Sequence, residues 1–406
     1  MFAAALLVLA MNFSGPKHTL KDFVGRPQKA FAWSRVPGEP QEFRLTSQSW
    51  QGAPWIHDLV IQEPKGAVAE HGIAFLVVTG DRVGRVDLPF GQSLADRSGL
   101  PVATLFNVPN QPLYELREDD LIAYTFQRYL EGADLDWPLL LPMANSVVRA
   151  MDMIQQETKG EISRFIVTGE SKRGWTTWLV GTLSDPRVVG IAPVAFDNLD
   201  FERQLKYQVQ SWGHLSEMLG SYSGAGLIGE MDSEQGTRLR EMVDPIFSVS
   251  EIHIPVLSIR GANDPYWAAD AANLYWPKVR PPKGFLVLPN EGHDFMNDES
   301  YLTALAAFPR EIKNHRLLEV ETSFSGTRFE CRWGTPVQKV LLWRAESATK
   351  DFRSSHWQPV EEVAIEAGRT RLSVETSVPK SGFAAYFVEF VRPDGPLTST
   401  VQIVGH

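Results

Sequence analysis

A serine, an aspartate and a histidine stand far apart in this chain, each just beyond a short apolar run. Together they are the parts of a nucleophilic catalyst. Ser171 lies in RFIVTGESKRGWTTWLV, residues 164–180. A serine hydroxyl is a weak nucleophile until a neighbouring base takes its proton. An imidazole serves as that base when a carboxylate fixes its tautomer and stabilises its charged form. His293 sits in Asn290-Glu291-Gly292-His293-Asp294, and of the nine histidines it alone follows a strand-like run in a glycine-bearing loop. Asp264, in Gly261-Ala262-Asn263-Asp264, supplies the acid, with Asp197 as a rival after the preceding strand-like run. The backbone N–H groups of Lys172 and of Gly80 or Asp81 are the expected oxyanion donors, worth roughly 3–4 kcal/mol each in a transition state.

Rigid elements must hold these groups. Phe165, Ile166 and Val167 read as a short buried strand, and Trp175, Trp178 and Leu179, at i, i+3, i+4 spacing, as the inner face of a helix. Ser171 occupies the turn between them, where Gly169 and Gly174 allow a bend tight enough to lift the hydroxyl above a sheet. The spacing departs from G-x-S-x-G, because Arg173 stands where the second glycine is expected. Residues 73–78, 102–106, 190–195, 255–260 and 285–288 read as further core strands, alternating with helices over 88–98, 118–130, 139–156 and 301–314. Residues 42–46 and 55–61 read as an antiparallel pair opening the sheet. The chain order Ser, Asp, His, each past the C-terminal end of a strand, is that of an α/β-hydrolase. Strand–helix alternation lapses between residues 199 and 250, which read as a cap carrying Tyr207, Trp212, His214 and Tyr222. Trp212 and His214 are its substrate-facing candidates. Lys172 and Arg173 either lend positive potential that favours an acidic acyl group, or Arg173 pairs with Glu170 or an acid of a neighbouring loop.

After about residue 316 the texture changes to short alternating segments broken by Gly, Pro and Ser, the pattern of a β-sandwich of immunoglobulin or fibronectin type III character. The expected fold is therefore α/β: an α/β-hydrolase sandwich with a cap insertion (about 199–250) in residues 18–315, then a C-terminal β-sandwich domain over 316–406. A chain of 406 residues, 43% of them hydrophobic, can fill both cores. A net charge of −10 argues against nucleic acid and against electrostatic docking to anionic membranes. The single cysteine, Cys331, excludes an internal disulfide and a cysteine-based metal cluster, and neither metal nor cofactor is expected. Residues 2–13 are apolar, shorter than the ~20 residues that span a bilayer, and no Lys or Arg precedes them. Residues 1–17 thus read as a signal or N-terminal segment, with export the expected localisation.

Several blocks resemble those of the PhoPQ-activated pathogenicity-related protein family. They are LTSQSWQGAPWIHDLVI (45–61), NVPNQPLY (107–114), REDDLIAYTFQRYL (117–130), WPLLLPMANSVVRAMD (137–152) and TGESKRGWTTWL (168–179). The resemblance continues through APVAFDNLDF and the cap to PNEGHDF, and so covers most of residues 18–315. It implies an α/β-hydrolase core with a cap and a C-terminal β domain, usually in exported proteins. Ser171 falls on the family's S-K-R-G-W-T-T-W block and His293 on its P-N-x-x-H block. Glu170 replaces a residue that is usually small, and GANDPYW (261–267) replaces a G-D-E-F-F-like segment. The elbow is also similar to that of carbohydrate esterases acting on uronate esters. The expected reaction is hydrolysis of a carboxylic ester, of a small molecule or saccharide, through an acyl-enzyme. A prolyl-type serine peptidase and a catalytically silent secreted binding protein are the alternatives.

Overall fold

A computed structural model describes residues 19–81, 87–132, 134–280, 282–314 and 320–405. The 1–17 segment and the expected boundary near residue 316 lie outside the described residues. The central sheet is built from β1 (Ala32–Val36), β2 (Glu39–Trp50), β3 (Ala53–Gln62), β4 (Gly72–Val78), β5 (Val102–Leu105), β6 (Ile162–Glu170), β7 (Val188–Val194), β8 (Val256–Gly261) and β9 (Lys283–Leu288). Their order is β1-β2-β3-β5-β4-β6-β7-β8-β9. Pairing is antiparallel from β1 to β5 and parallel from β5 to β9.

Period-two alternation sets the layers. In β4, Ala74, Leu76 and Val78 face one core while Ile73, Phe75 and Val77 face the other. In β6, Phe165 and Val167 share the first core and Ile166 lies in the second. A parallel strand apolar on both faces needs a helical layer on each. Helices Leu140–Glu157 and Lys172–Thr182 cover the first face, and Asp87–Ser98 and Glu299–Asn314 the second. The result is the expected α/β-hydrolase sandwich. The edge strand β1 gives little signal in the sequence because most of its residues are exposed, although Trp33 packs on the core.

Between β7 and β8 the chain leaves the sheet for the cap, which includes helices Phe201–Trp212 and Glu234–Val243. Asp244 draws the two ends of this insertion together. Its carboxylate accepts from the backbone N–H groups of Asp200 (3.1 Å) and Phe201 (2.8 Å) at one end and Ile246 (3.0 Å) at the other.

The C-terminal region forms two separate antiparallel sheets. One orders strands Val320–Ser325, Arg328–Trp333 and Arg371–Glu375; the other is centred on Lys339–Ser347 and Phe383–Val391. Val340, Leu342, Val388 and Phe390 pack with Phe329 and buried Cys331 in the core between these sheets. Ala345, Ala385 and Phe387, on the opposite face, join the hydrolase core instead. The domain is therefore anchored on the hydrolase by shared apolar packing.

Candidate active site

Ser171 closes β6 and opens the helix Lys172–Thr182, with φ 58° and ψ −124°. This is a backbone region that a residue with a Cβ adopts at a cost of about 1–3 kcal/mol, typical of functional turns. Two glycines permit the bend. A Cβ on Gly169 would lie 2.9 Å from the Val78 carbonyl oxygen, and one on Gly174 only 2.4 Å from that of Val194. Gly174 thus lets the helix close onto β7, which explains why the residue two after the serine need not be glycine. A serine at a helix N-cap ordinarily accepts a hydrogen bond from the first-turn backbone. Ser171 does not, so its hydroxyl points away from the helix it begins.

That hydroxyl meets His293. Ser171 Oγ lies 2.8 Å from His293 Nε2, and His293 Nδ1 lies 2.8 Å from Asp264 Oδ2. With Asp264 accepting from Nδ1–H, Nε2 is left to accept the serine proton. The second Asp264 oxygen accepts from the backbone N–H of Tyr266 at 2.8 Å, which fixes the carboxylate, and the Asp264 side chain is fully buried. The Tyr266 ring covers the imidazole, with centroids 4.3 Å apart. Burial pulls the His293 pKa down, but the Asp264 carboxylate outweighs it and holds the imidazole above its ordinary value. Glu170 lies beside this group; burial, then Asp294, push its carboxyl up to about 7.

The loops carrying His293 and Asp264 meet directly. Asn263 donates its backbone N–H to the Glu291 carbonyl at 2.9 Å. A Cβ on Gly261 would lie 2.0 Å from the Gly292 carbonyl oxygen, so only glycine allows this approach.

On the other flank of Ser171, the end of β4 brings Gly80 to a pocket shared with Ser171 and Glu170. The Arg173 guanidinium packs against Gly80. Arg173 also donates to the Val108 carbonyl and forms a two-pronged ion pair with Glu118, both contacts at 2.7 Å. Lys172 Nζ reaches Glu118 at 3.0 Å and Asp119 at 3.4 Å. Although burial works against it, these cations hold the Glu118 carboxyl down at about 2. The partner of Arg173 is therefore Glu118 and not Glu170, and the expected positive potential is cancelled locally. Arg173 acts as a brace beneath the Gly80 turn. Asp81, the other residue expected there, pairs through its carboxylate with Arg117 and Gln111.

A cavity of about 80 Å³ opens beside Ser171 and Lys172, walled by Phe126, Trp175, Phe196 and Phe201 and roofed by Leu219 and Met231 of the cap. The rings pack on one another; Trp175 stacks on Phe196 at 5.1 Å and meets Phe201 edge-on at 5.2 Å. The cap's Tyr222 donates to Asp119 at 3.0 Å and latches the roof to helix Glu118–Leu130. Trp212 and His214 are not in this wall. Trp212 shares a helix face with Leu205 but sits seven residues on, about 10 Å along the axis, where Arg353 stacks over its indole at 4.2 Å. His214 is exposed and bonds the Leu215 carbonyl at 2.8 Å.

Asp197 lies elsewhere too. It is sealed in the core with Arg260, each 1% exposed, and accepts from the Tyr275 hydroxyl as well. A second serine–histidine pair, Ser47 and His57 at 2.9 Å, lies completely buried. His57 Nδ1 is bonded to the Phe106 carbonyl at 3.1 Å, and burial pushes the imidazole down to about 4. With no carboxylate bonded to it among the described residues and both side chains fully buried, this pair is core packing.

A sequence profile of the PhoPQ-activated pathogenicity-related protein family matches residues 22–353. Autocrine proliferation repressor protein A of Dictyostelium discoideum is 28% identical over 438 residues, spanning 95% of this chain and 87% of its own. Among solved structures, an acetyl xylan esterase from Paenibacillus sp. R4 superposes with a TM-score of 0.52 at 16% identity, over 73% of this chain and 92% of that one. That likeness is one of fold.

Proposed function

The chain belongs to the PhoPQ-activated pathogenicity-related protein family, and we propose that it is a serine hydrolase that cleaves carboxylic esters. The observation that carries this reading is the unbroken line of two 2.8 Å hydrogen bonds from Ser171 through His293 to Asp264. In the reaction, Ser171 Oγ attacks the ester carbonyl as its proton passes to His293 Nε2. The carbonyl oxygen, now an anion, is held by the backbone N–H groups of Lys172 and of the Gly80–Asp81 turn. Collapse breaks the bond to the alcohol oxygen, which leaves with the proton from Nε2. Water then gives a proton to Nε2 and attacks the acyl-serine; the bond from the acyl carbon to Oγ breaks, Nε2 returns the proton to Oγ, and the acid leaves with Ser171 restored. Asp264 remains a carboxylate throughout and stabilises the imidazolium.

The cavity supports a small apolar substituent on one side of the ester bond. Asp119, Asn198 and Tyr222 also line the cavity, but a saccharide would set most of its hydroxyls against the rings, and unmade hydrogen bonds in a buried site cost about 1–3 kcal/mol each. An enclosed 150 Å³ space takes a benzene ring, so about 80 Å³ suits three or four carbons. Burial of each methylene contributes about 0.8 kcal/mol, or roughly fourfold. Two ester series test this: 4-nitrophenyl esters of lengthening acids and acetates of lengthening alcohols. In one series kcat/KM is expected to rise about fourfold per methylene to three or four carbons and then fall. Turnover with no length dependence in either series would remove the cavity from the account, and absence of turnover in both would remove the esterase.

A further inference from the structure

We propose that the segment Asp351–Trp357 of the C-terminal domain is a positioning element of the active site, clamping the acid and base loops through Asn263 and Asn290. The inference rests on the triad reading above but concerns a part of the molecule that reading does not use.

Asn263 immediately precedes the triad acid. Its side-chain amide donates into a cup of three carbonyls from the C-terminal domain: Phe352 at 3.1 Å, Arg353 at 3.2 Å and Ser355 at 2.7 Å. Asn290 begins the loop that carries the triad base. Its side chain pairs with the Trp357 backbone in both directions, donating to the carbonyl at 3.0 Å and accepting from the N–H at 2.8 Å. Asn290 has φ 65°, a left-handed conformation that asparagine tolerates better than most residues with a side chain.

The clamp is itself rigid. Phe352 and Trp357 are each 1% exposed and belong to the hydrolase core cluster, with Trp357 against Phe387 at 5.1 Å. Ser355 ties back to the Glu346 carbonyl at 2.9 Å. Between them Arg353 reaches the cap, paired with Glu217 at 2.8 Å over the Trp212 ring. One seven-residue stretch therefore touches the acid loop, the base loop and the cap. A domain that served only to dock a partner would have no need to hold two neighbours of the triad by their side-chain amides. Misplacement of reacting groups by about 1 Å can cost about a hundredfold in rate.

The test uses the full chain with Asn263→Ala, Asn290→Gly and Asn290→Asp. Glycine removes the side chain without straining the backbone at φ 65°, and aspartate keeps the acceptor for the Trp357 N–H. Thermal melts first establish that each variant is folded at the assay temperature. Asn263→Ala and Asn290→Gly are expected to lower kcat about tenfold to a hundredfold with KM changed less than about threefold. The acid limb of kcat/KM should move to lower pH as Asp264 loosens from His293. Glu170 and Lys172, the other charged groups facing His293, are untouched by these substitutions. Asn290→Asp should recover part of the rate. The low-field proton resonance of His293 Nδ1–H gives a readout independent of turnover, and it should broaden or shift in both deletion variants. Folded variants with unchanged kcat, acid limb and low-field resonance would overturn the clamp. If the parent protein turns over no ester while the resonance still responds, the esterase reading falls and the clamp stands.

Discussion

Ser171→Ala is expected to lower ester turnover by about a millionfold, to the residual rate that binding and oxyanion contacts alone sustain. The size of the effect follows from the covalent step. Without Oγ there is no acyl-enzyme, and water is neither placed nor deprotonated in its stead. The same substitution should leave the fold within about 0.5 kcal/mol of the parent. Ser171 makes no cap to its helix, and among the described residues its hydroxyl bonds to His293 alone. A folded Ser171→Ala variant that retains parental kcat would remove the mechanism.

The second large effect separates two aspartates. Asp264→Asn should lower kcat/KM by about ten thousandfold, because an amide at Oδ2 favours the imidazole tautomer with its proton on Nε2, where it no longer accepts from serine. The pH dependence carries the same signature. The base must be neutral to act, so activity rises with pH through the His293 pKa, which Asp264 holds above the ordinary value. With the carboxylate gone, the acid limb of the remaining activity moves to lower pH. Asp197→Asn should do the reverse. It leaves Arg260 buried opposite a neutral partner, a loss of about 3–5 kcal/mol in stability, while the folded fraction keeps kcat within a few fold. Urea unfolding and steady-state kinetics on both variants read the two effects independently. Loss of turnover in Asp197→Asn with retention in Asp264→Asn would exchange their roles.

Much of this site is visible in the amino-acid order, for identifiable reasons. The strand before Ser171 and the helix after it announce themselves because the apolar run 165–167 and the face Trp175, Trp178, Leu179 are both buried as their patterns imply. The Ser, Asp and His positions follow from strand ends, which topology places along one edge of the sheet. What stays hidden depends on contacts between distant segments. Arg173 gives no sign that its partner is Glu118, 55 residues earlier. The face of helix Phe201–Trp212 is readable, but not how far along it the cavity ends, and Trp212 and His214 lie beyond that end. Asn263 and Asn290 look like ordinary loop asparagines; their acceptors lie 67 to 92 residues away in another domain. Tyr266 likewise shows its role only when its ring is seen over His293. Asp264 is already preferred to Asp197 in the sequence, but the burial of Asp197 against Arg260 is encoded by no local pattern.

The most direct test is covalent: treat the protein with a fluorophosphonate and locate the adduct by peptide mass spectrometry. A single phosphonylated residue, Ser171, is expected, formed faster as pH rises through the His293 pKa and absent from Ser171→Ala. No adduct under conditions that label known serine hydrolases, or an adduct at another serine with Ser171 unmodified, would contradict it.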